Sequence, residues 1–157
     1  MKILNNIIKF FSAEKIYSRP KESKVIILDN NFEDVLKNFK YKYKTLDVRL
    51  NQVNIYILFI CLLKYKKISF FNYIKEFLIA SNCKVILTFN DNNEIFYKLK
   101  NQLPEIKNIA VQNGFRNKFF FNLIKKNSKA DLIFTLDDKI SYQYKKKIKS
   151  RFITLGS

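Results

Sequence analysis

Short apolar runs separated by mixed polar segments recur along the whole chain. Two of the runs, KVIILD (24–29) and KVILTF (84–89), are continuously apolar, which is typical of strands covered on both faces. Between such runs, apolar residues recur at helical spacing. The pattern predicts strands over 24–29, 43–49, 84–89, 107–112, 131–136 and 151–156, and helices over 32–39, 51–64, 69–81, 92–101, 119–126 and 138–147.

Strands and helices therefore alternate through most of the sequence. This order predicts an α/β fold with a doubly wound, mostly parallel six-stranded sheet of Rossmann-like type, joined by right-handed crossovers. No charge run or Pro/Gly-rich linker divides residues 21–157. We expect them to form one domain.

The first twenty residues form a separate segment, 1–20, which is predicted to hold an amphipathic helix closed by Pro20. Its apolar residues recur at helical spacing beside two lysines: Ile3, Leu4, Ile7, Ile8 and Phe11, with Lys2 and Lys9. Two interpretations stay open. The helix docks on the domain, or it lies on an anionic membrane as basic amphipathic segments can.

No other segment suggests a membrane protein. The longest apolar run, VNIYILFICLL (53–63), is about half the ~20 residues that a membrane span needs, so it predicts a buried helix. We expect a cytoplasmic protein, with peripheral contact at the inner membrane if residues 1–20 bind lipid.

The formal net charge of +17 would normally indicate an anionic partner. Only four of the thirty basic residues are arginine, however, and the lysines lie in a background rich in asparagine, isoleucine and phenylalanine. An AT-rich coding sequence produces this mixture without selection for charge. Nucleic-acid binding is therefore disfavoured, and a basic module that binds nucleic acid or anionic membrane is kept as the alternative function.

Several chemistries are excluded by composition. The chain has no histidine, which removes an imidazole base or metal ligand, and its two cysteines cannot build a zinc site. The first loop, 29–33, has no glycine, and no GxxxxGK[ST] motif occurs. We expect no metal and no cofactor in this chain.

Candidate chemistry lies where strands end, because open α/β sheets bind ligands beyond the carboxyl ends of their strands. After the strand at 84–89 come Asp91, Asn92 and Asn93. Asp91 is the candidate base, and the following helix N-terminus is a candidate anion site. The structural alternative is that Asp91 or Asn92 merely caps that helix.

The next strand leads into QNGFR, which contributes Gln112, Asn113, Gly114 and Arg116. Gly114 is expected where the backbone turns sharply or approaches a ligand, although Asn-Gly alone is a common turn signal. Arg116 is a candidate for bidentate contact with phosphate or carboxylate. The remaining candidate ligand-binding residues follow other strands: Arg49, Gly156 and Ser157.

Three segments together resemble the amino-terminal half of bacterial surface-carbohydrate biosynthesis proteins with a GT-B glycosyltransferase-like fold. They are VILTFNDNNEIFYKL (85–99), NIAVQNGFR (108–116) and ITLGS (153–157). In that group a strand leads into an Asp-Asn loop, the next into a Gln-Asn-Gly-x-Arg-type turn, and a later one into a Gly-Ser turn. The similarity extends from about Lys24 to the last residue.

The resemblance implies a two-domain architecture of which this chain is one half. A second, absent domain would bind the nucleotide-sugar donor, and this one would face a carbohydrate or lipid-linked acceptor in surface polysaccharide or lipopolysaccharide synthesis. The histidine base of many GT-B enzymes has no counterpart, so catalysis would fall to Asp91 or to the absent domain. We expect no turnover from this half alone. A third hypothesis is a fragment without activity.

Overall fold

The computed structural model describes residues 11–29, 36–38, 40–48 and 51–156. Its main feature is a six-stranded, all-parallel sheet. The strands are β2 (Val25–Leu28), β3 (Lys44–Leu46), β5 (Val85–Thr88), β6 (Lys107–Val111), β7 (Ser128–Thr135) and β8 (Ile148–Thr154). They lie side by side in the order β3-β2-β5-β6-β7-β8. This confirms the predicted Rossmann-like α/β fold.

The described part of the chain contains five complete helices: α1 (Ile55–Tyr65), α2 (Phe70–Ala80), α3 (Glu94–Gln102), α4 (Lys118–Leu123) and α5 (Asp138–Lys145). Each helix begins after a residue whose side chain accepts a hydrogen bond from a backbone N–H of the first turn. The caps are Asn54, Ser69, Asn93, Asn117 and Asp137. Such residues are strongly favoured at this position because they satisfy amide groups that a helix leaves unpaired.

Two short strands were not predicted. β1 (Glu14–Ile16) pairs in parallel with β4 (Gln52–Asn54), outside the main sheet. The helix predicted over 51–64 therefore begins only at Ile55, and the helical assignment of segment 1–20 does not extend over Glu14–Ile16. Most of the helix predicted over 3–11 lies outside the described residues. A strand of three residues carries almost no periodicity, which is why the sequence pattern missed both.

The sheet has two unequal faces. On the first, strand residues such as Ile86, Ala110 and Ile133 are completely buried beneath residues from all five helices. The chain moves from β5 to β8 in one lateral direction, and right-handed crossovers then place every connecting helix on that same side. The β2–β3 connection runs the opposite way and brings Leu36 against Ile27 and Leu87 on the second face.

Candidate functional site

The loops after β5 and β6 meet at the carboxyl edge of the sheet. β5 and β6 are neighbours, with Thr88 beside Ala110, so the residues that follow each strand emerge side by side. Asp91 from the first loop and Arg116 from the second form an ion pair. The structure thus brings together two predicted residues that are 25 positions apart.

Asp91 is the centre of this contact and is fully buried. The Nε of Arg116 donates to Asp91 Oδ2 at 3.0 Å, and the Nη2 of Arg116 donates to Oδ1. The Tyr144 hydroxyl, from α5, also donates to Oδ2. A fourth bond joins the Tyr97 hydroxyl to the backbone carbonyl of Asp91 at 2.7 Å. Both carboxylate oxygens are therefore occupied by donors from within the protein.

Arg116 is held from several sides. Its Nη2 also donates to Asn113 Oδ1 at 2.8 Å, and its guanidinium lies 4.7 Å from the centre of the Phe120 ring. Burial acts to lower the pKa of the guanidinium, but hydrogen bonding to Asp91 and its charge outweigh burial, and the pKa is raised. Arg116 is a permanent cation here, paired with an internal anion.

The two tyrosines remain protonated donors. Burial first, and then the charge of Asp91, raise the pKa of Tyr144 and of Tyr97 well above the usual range. Neither tyrosine was identified from the sequence. Tyr144 lies 53 residues from Asp91, and a tyrosine within an amphipathic helix gives no local sign of a carboxylate partner.

This geometry gives no support to the prediction that Asp91 acts as a base. A base needs a lone pair directed at a ligand, whereas both oxygens of Asp91 accept internal hydrogen bonds and the side chain has no exposed surface. Asp91 orients Arg116 and links it to Tyr144 of α5. We call the contact of Asp91, Arg116 and Tyr144 the edge lock.

Gln112 and Gly114 support the same loop. The buried Gln112 side chain donates from Nε2 to the Gly114 carbonyl at 2.7 Å and accepts the Leu136 N–H at 3.0 Å. Gly114 does not have a left-handed backbone, and an added Cβ would lie 3.6 Å from Arg116 Nη1, an ordinary contact. The backbone of this turn therefore does not require glycine, and the expected approach of Gly114 to a ligand stays a prediction.

The Asn-rich loop has a different cap from the one expected. Asn93, rather than Asp91 or Asn92, accepts the Ile95 N–H at 3.0 Å and begins α3. Asn92 is exposed. Asn93 was predicted as a ligand-binding residue, and its side-chain oxygen is committed to the helix.

The remaining predicted residues lie apart from the edge lock. Gly156 follows β8, two strands away from β6, and has φ of +79°, so a left-handed backbone does favour glycine there. Arg49 and Ser157 lie outside the described residues. The structure consequently gathers Asp91, Gln112, Asn113 and Arg116, and leaves Gly156 separate.

A basic cleft of about 430 Å³ adjoins the edge lock between α4 and α5. Four of its lining residues are cationic, three of them lysines of α5 and the turn that follows: Arg116, Lys139, Lys146 and Lys147. These lysines were not among the site residues predicted from the sequence. Lys139, Gln143 and Lys146 recur at helical spacing, so a helical projection of α5 could have shown that they share one face.

Asp29 was also not among the site residues predicted from the sequence. It follows β2 where the strand order reverses between β2 and β5, the usual ligand crevice of such sheets. It is buried and has φ of 94°, which is strained for a residue with a Cβ. Cavities of about 640 and 800 Å³ lie beside β3 and include none of the predicted site residues.

The described residues contain no group of three or more side chains able to hold a metal ion. No helix within the described part of the chain has the length and apolar character needed to cross a membrane.

The fold and the site together define a Rossmann-like α/β domain with an internal ion pair at its carboxyl edge and a basic cleft between α4 and α5. Comparison with known proteins found no match: neither a family model, nor a curated protein, nor a solved structure is significantly similar to the chain. Function must therefore be argued from the site.

Proposed function

We propose that this chain is the acceptor-side domain of a glycosyltransferase-like protein of surface polysaccharide or lipopolysaccharide synthesis, and that its basic cleft binds the phosphate-bearing part of the acceptor. One observation carries the proposal. Arg116, which belongs to the QNGFR segment of the resemblance, lines one cleft with three lysines: Lys139, near the carboxyl edge of the sheet, and Lys146 and Lys147, which directly precede β8.

The lysines would supply the binding charge. Two of the nitrogens of Arg116 are committed to Asp91, whose negative charge balances the guanidinium. Lys139 and Lys147 form no ion pair with another described residue, and Lys146 Nζ lies 4.4 Å from the Tyr142 ring centre. An ammonium group is a mobile point charge that suits phosphate oxygens of varied geometry. A cleft of this kind suits a phosphate or diphosphate better than a neutral sugar.

The domain would bind without performing the chemistry. Asp91 is fully buried with both carboxylate oxygens bonded to internal donors, and the chain has no histidine. A base and a nucleotide-sugar donor would then come from a second domain, as the resemblance implies. Purified chain should bind a phosphorylated acceptor and transfer no sugar.

Calorimetry with inorganic pyrophosphate and with geranyl diphosphate at low ionic strength tests the binding site. The double variant Lys139→Gln/Lys146→Gln should weaken both ligands by about tenfold, or ~1.4 kcal/mol. The matched control is Lys84→Gln/Lys129→Gln, which changes two exposed lysines outside the cleft. Equal weakening in the control, or sugar transfer from a nucleotide donor by the chain alone, would contradict the proposal.

The alternative function is binding of nucleic acid or anionic membrane without catalysis. The observation that favours it is the same row of lysines on one side of α5, within a chain of net charge +17. It predicts that a fluorescent single-stranded oligonucleotide or anionic vesicles bind with an affinity that falls steeply with salt. Anisotropy and vesicle sedimentation over a salt series, compared with pyrophosphate, separate the two functions.

A further inference from the structure

The second face of the sheet is apolar over four strands. Its side chains lie in lateral rows set by the register: Leu87, Ile109 and Leu132 in one, and Val111, Phe134 and Ile153 in the next. Together with Val85 from the preceding row, these residues form the surface that we call the open face. These residues are half-buried, except Leu87, which is 9% exposed.

The described helices do not cover this face. All five pack on the first face, where the strand residues are completely buried. On the second face, the described residues from outside the strands that pack with Ile27 and Leu87 are Leu36 and Tyr43, at the β2–β3 end, and the buried Phe89, which follows β5. A cavity of about 480 Å³ lies over the face, lined by apolar side chains and Tyr41.

A parallel sheet with one face open is unusual, because its strands are apolar on both sides and helices normally cover both. The continuous runs of β5 and β6 have the composition of strands with two covered faces. A helix is the element that matches a twisted parallel sheet in α/β proteins. The cavity lies beside Leu36, where a second helix would pack next to the β2–β3 connection.

The charges at the border of the open face indicate which charges a docked helix should carry. Lys107 is in register with Val85, and Arg151 is in register with Leu132, so both cations are on this face. Lys107 lies 3.6 Å from Asp131, and Arg151 is exposed. The paired rows on this face contain no acidic residue among those described.

We propose that the open face is the docking surface for an amphipathic α-helix of another polypeptide segment, with an apolar stripe facing Val111 and Phe134 and carboxylates facing Arg151 and Lys107. A second copy of this chain does not fit, because each copy carries a net charge of +17 and presents cations at the same border. The proposal is independent of the basic cleft, which lies between α4 and α5 on the other side of the sheet.

Cysteine accessibility tests whether the face is open. Native Cys61 and Cys83 are both buried, so an added thiol reports its own position. We expect Val111→Cys to react rapidly with iodoacetamide and Ile133→Cys, on the covered face, to react slowly. A synthetic amphipathic helical peptide with leucines at i, i+3, i+4 and i+7 and flanking glutamates should slow labelling of Val111→Cys saturably.

Reversing the charge of Arg151 tests whether the docked helix carries carboxylates. Arg151→Glu should weaken the glutamate-flanked peptide by about threefold to fivefold and strengthen a lysine-flanked peptide, since an exposed ion pair contributes modestly. The matched control, Arg19→Glu, changes an exposed arginine outside the sheet and should change neither affinity.

Four results would overturn the proposal. They are slow labelling of Val111→Cys in the free chain, equal binding of both peptides, a concentration-dependent dimer that Arg151→Glu abolishes, and protection of Val111→Cys by anionic vesicles but not by peptide. The last two would assign the face to a second copy or to lipid.

Discussion

Replacing Arg116 with methionine removes one partner of the edge lock while keeping a long apolar stem. The fully buried Asp91 would then lose its cation and retain the Tyr144 hydroxyl as its side-chain donor. Only 12% of the Arg116 side chain is exposed, so water has little access to the vacated position. An unpaired buried carboxylate is among the most destabilising local changes in a protein.

The magnitude follows from the burial of the pair. Removing one partner of a buried ion pair costs about 3–5 kcal/mol, mainly because the other charge stays desolvated. Loss of the contact with the Phe120 ring adds roughly 0.5–1 kcal/mol. The double variant Asp91→Asn/Arg116→Met removes the charge and keeps an oxygen that can accept from Tyr144. We expect it to be at least ~1 kcal/mol more stable than Arg116→Met alone.

Urea unfolding followed by circular dichroism measures these free energies, provided that the denaturant slope is the same for all variants. Arg19→Met is the matched control, because Arg19 is exposed, and it should change stability by less than about 0.5 kcal/mol. Our reasoning fails if Arg116→Met is as stable as Arg19→Met. It also fails if the second substitution, Asp91→Asn, destabilises Arg116→Met further.

Asp29→Gly should stabilise the chain by about 1 kcal/mol if the Asp29 side chain contributes nothing to folding, since glycine adopts φ of 94° without strain. A lower melting temperature would instead show that the Asp29 carboxylate stabilises the carboxyl end of β2. Asn93→Ala should cost about 1 kcal/mol because it removes the cap of α3, whereas Asn92→Ala should cost little, and the same melting experiment compares them. Burial raises the pKa of the Cys83 thiol from 9.0 to about 11, so the unfolded chain ionises first and stability should fall as pH rises from about 9 to about 11. Subtracting the profile of Cys83→Ala isolates this fall from the titration of lysines and tyrosines, and identical profiles would contradict it.

Local patterns predicted most of the fold. Each strand of the main sheet overlaps a predicted apolar run, because most strand residues that face the core are apolar. The boundaries differ by a few residues, most clearly at β7, which begins at Ser128 although its apolar run starts near Leu132. The polar residues before that run pair with β8 at a register shift that no periodicity reveals.

The candidate site was predicted less completely. Sequence reasoning placed Asp91 and Arg116 at one edge, since neighbouring parallel strands end together. It assigned Asp91 to catalysis and Gly114 to a sharp turn or a ligand contact. The buried, internally bonded Asp91 gives no support to the first role, and the turn at Gly114 does not require glycine. Side-chain partners decide such roles, and the partner of Asp91 on α5 cannot be inferred from local spacing.

Alone, the sequence determined the class of fold, the absence of histidine chemistry and the edge on which the polar loops gather, because these follow from composition and from the period of apolar residues. Only the tertiary structure decided that Asp91 and Arg116 neutralise each other, that the lysines of α5 line a cleft, and that one face of the sheet stays open among the described residues. The physical reason is that pairing and burial depend on contacts between residues far apart in the chain, whereas helical and strand periodicity are local properties.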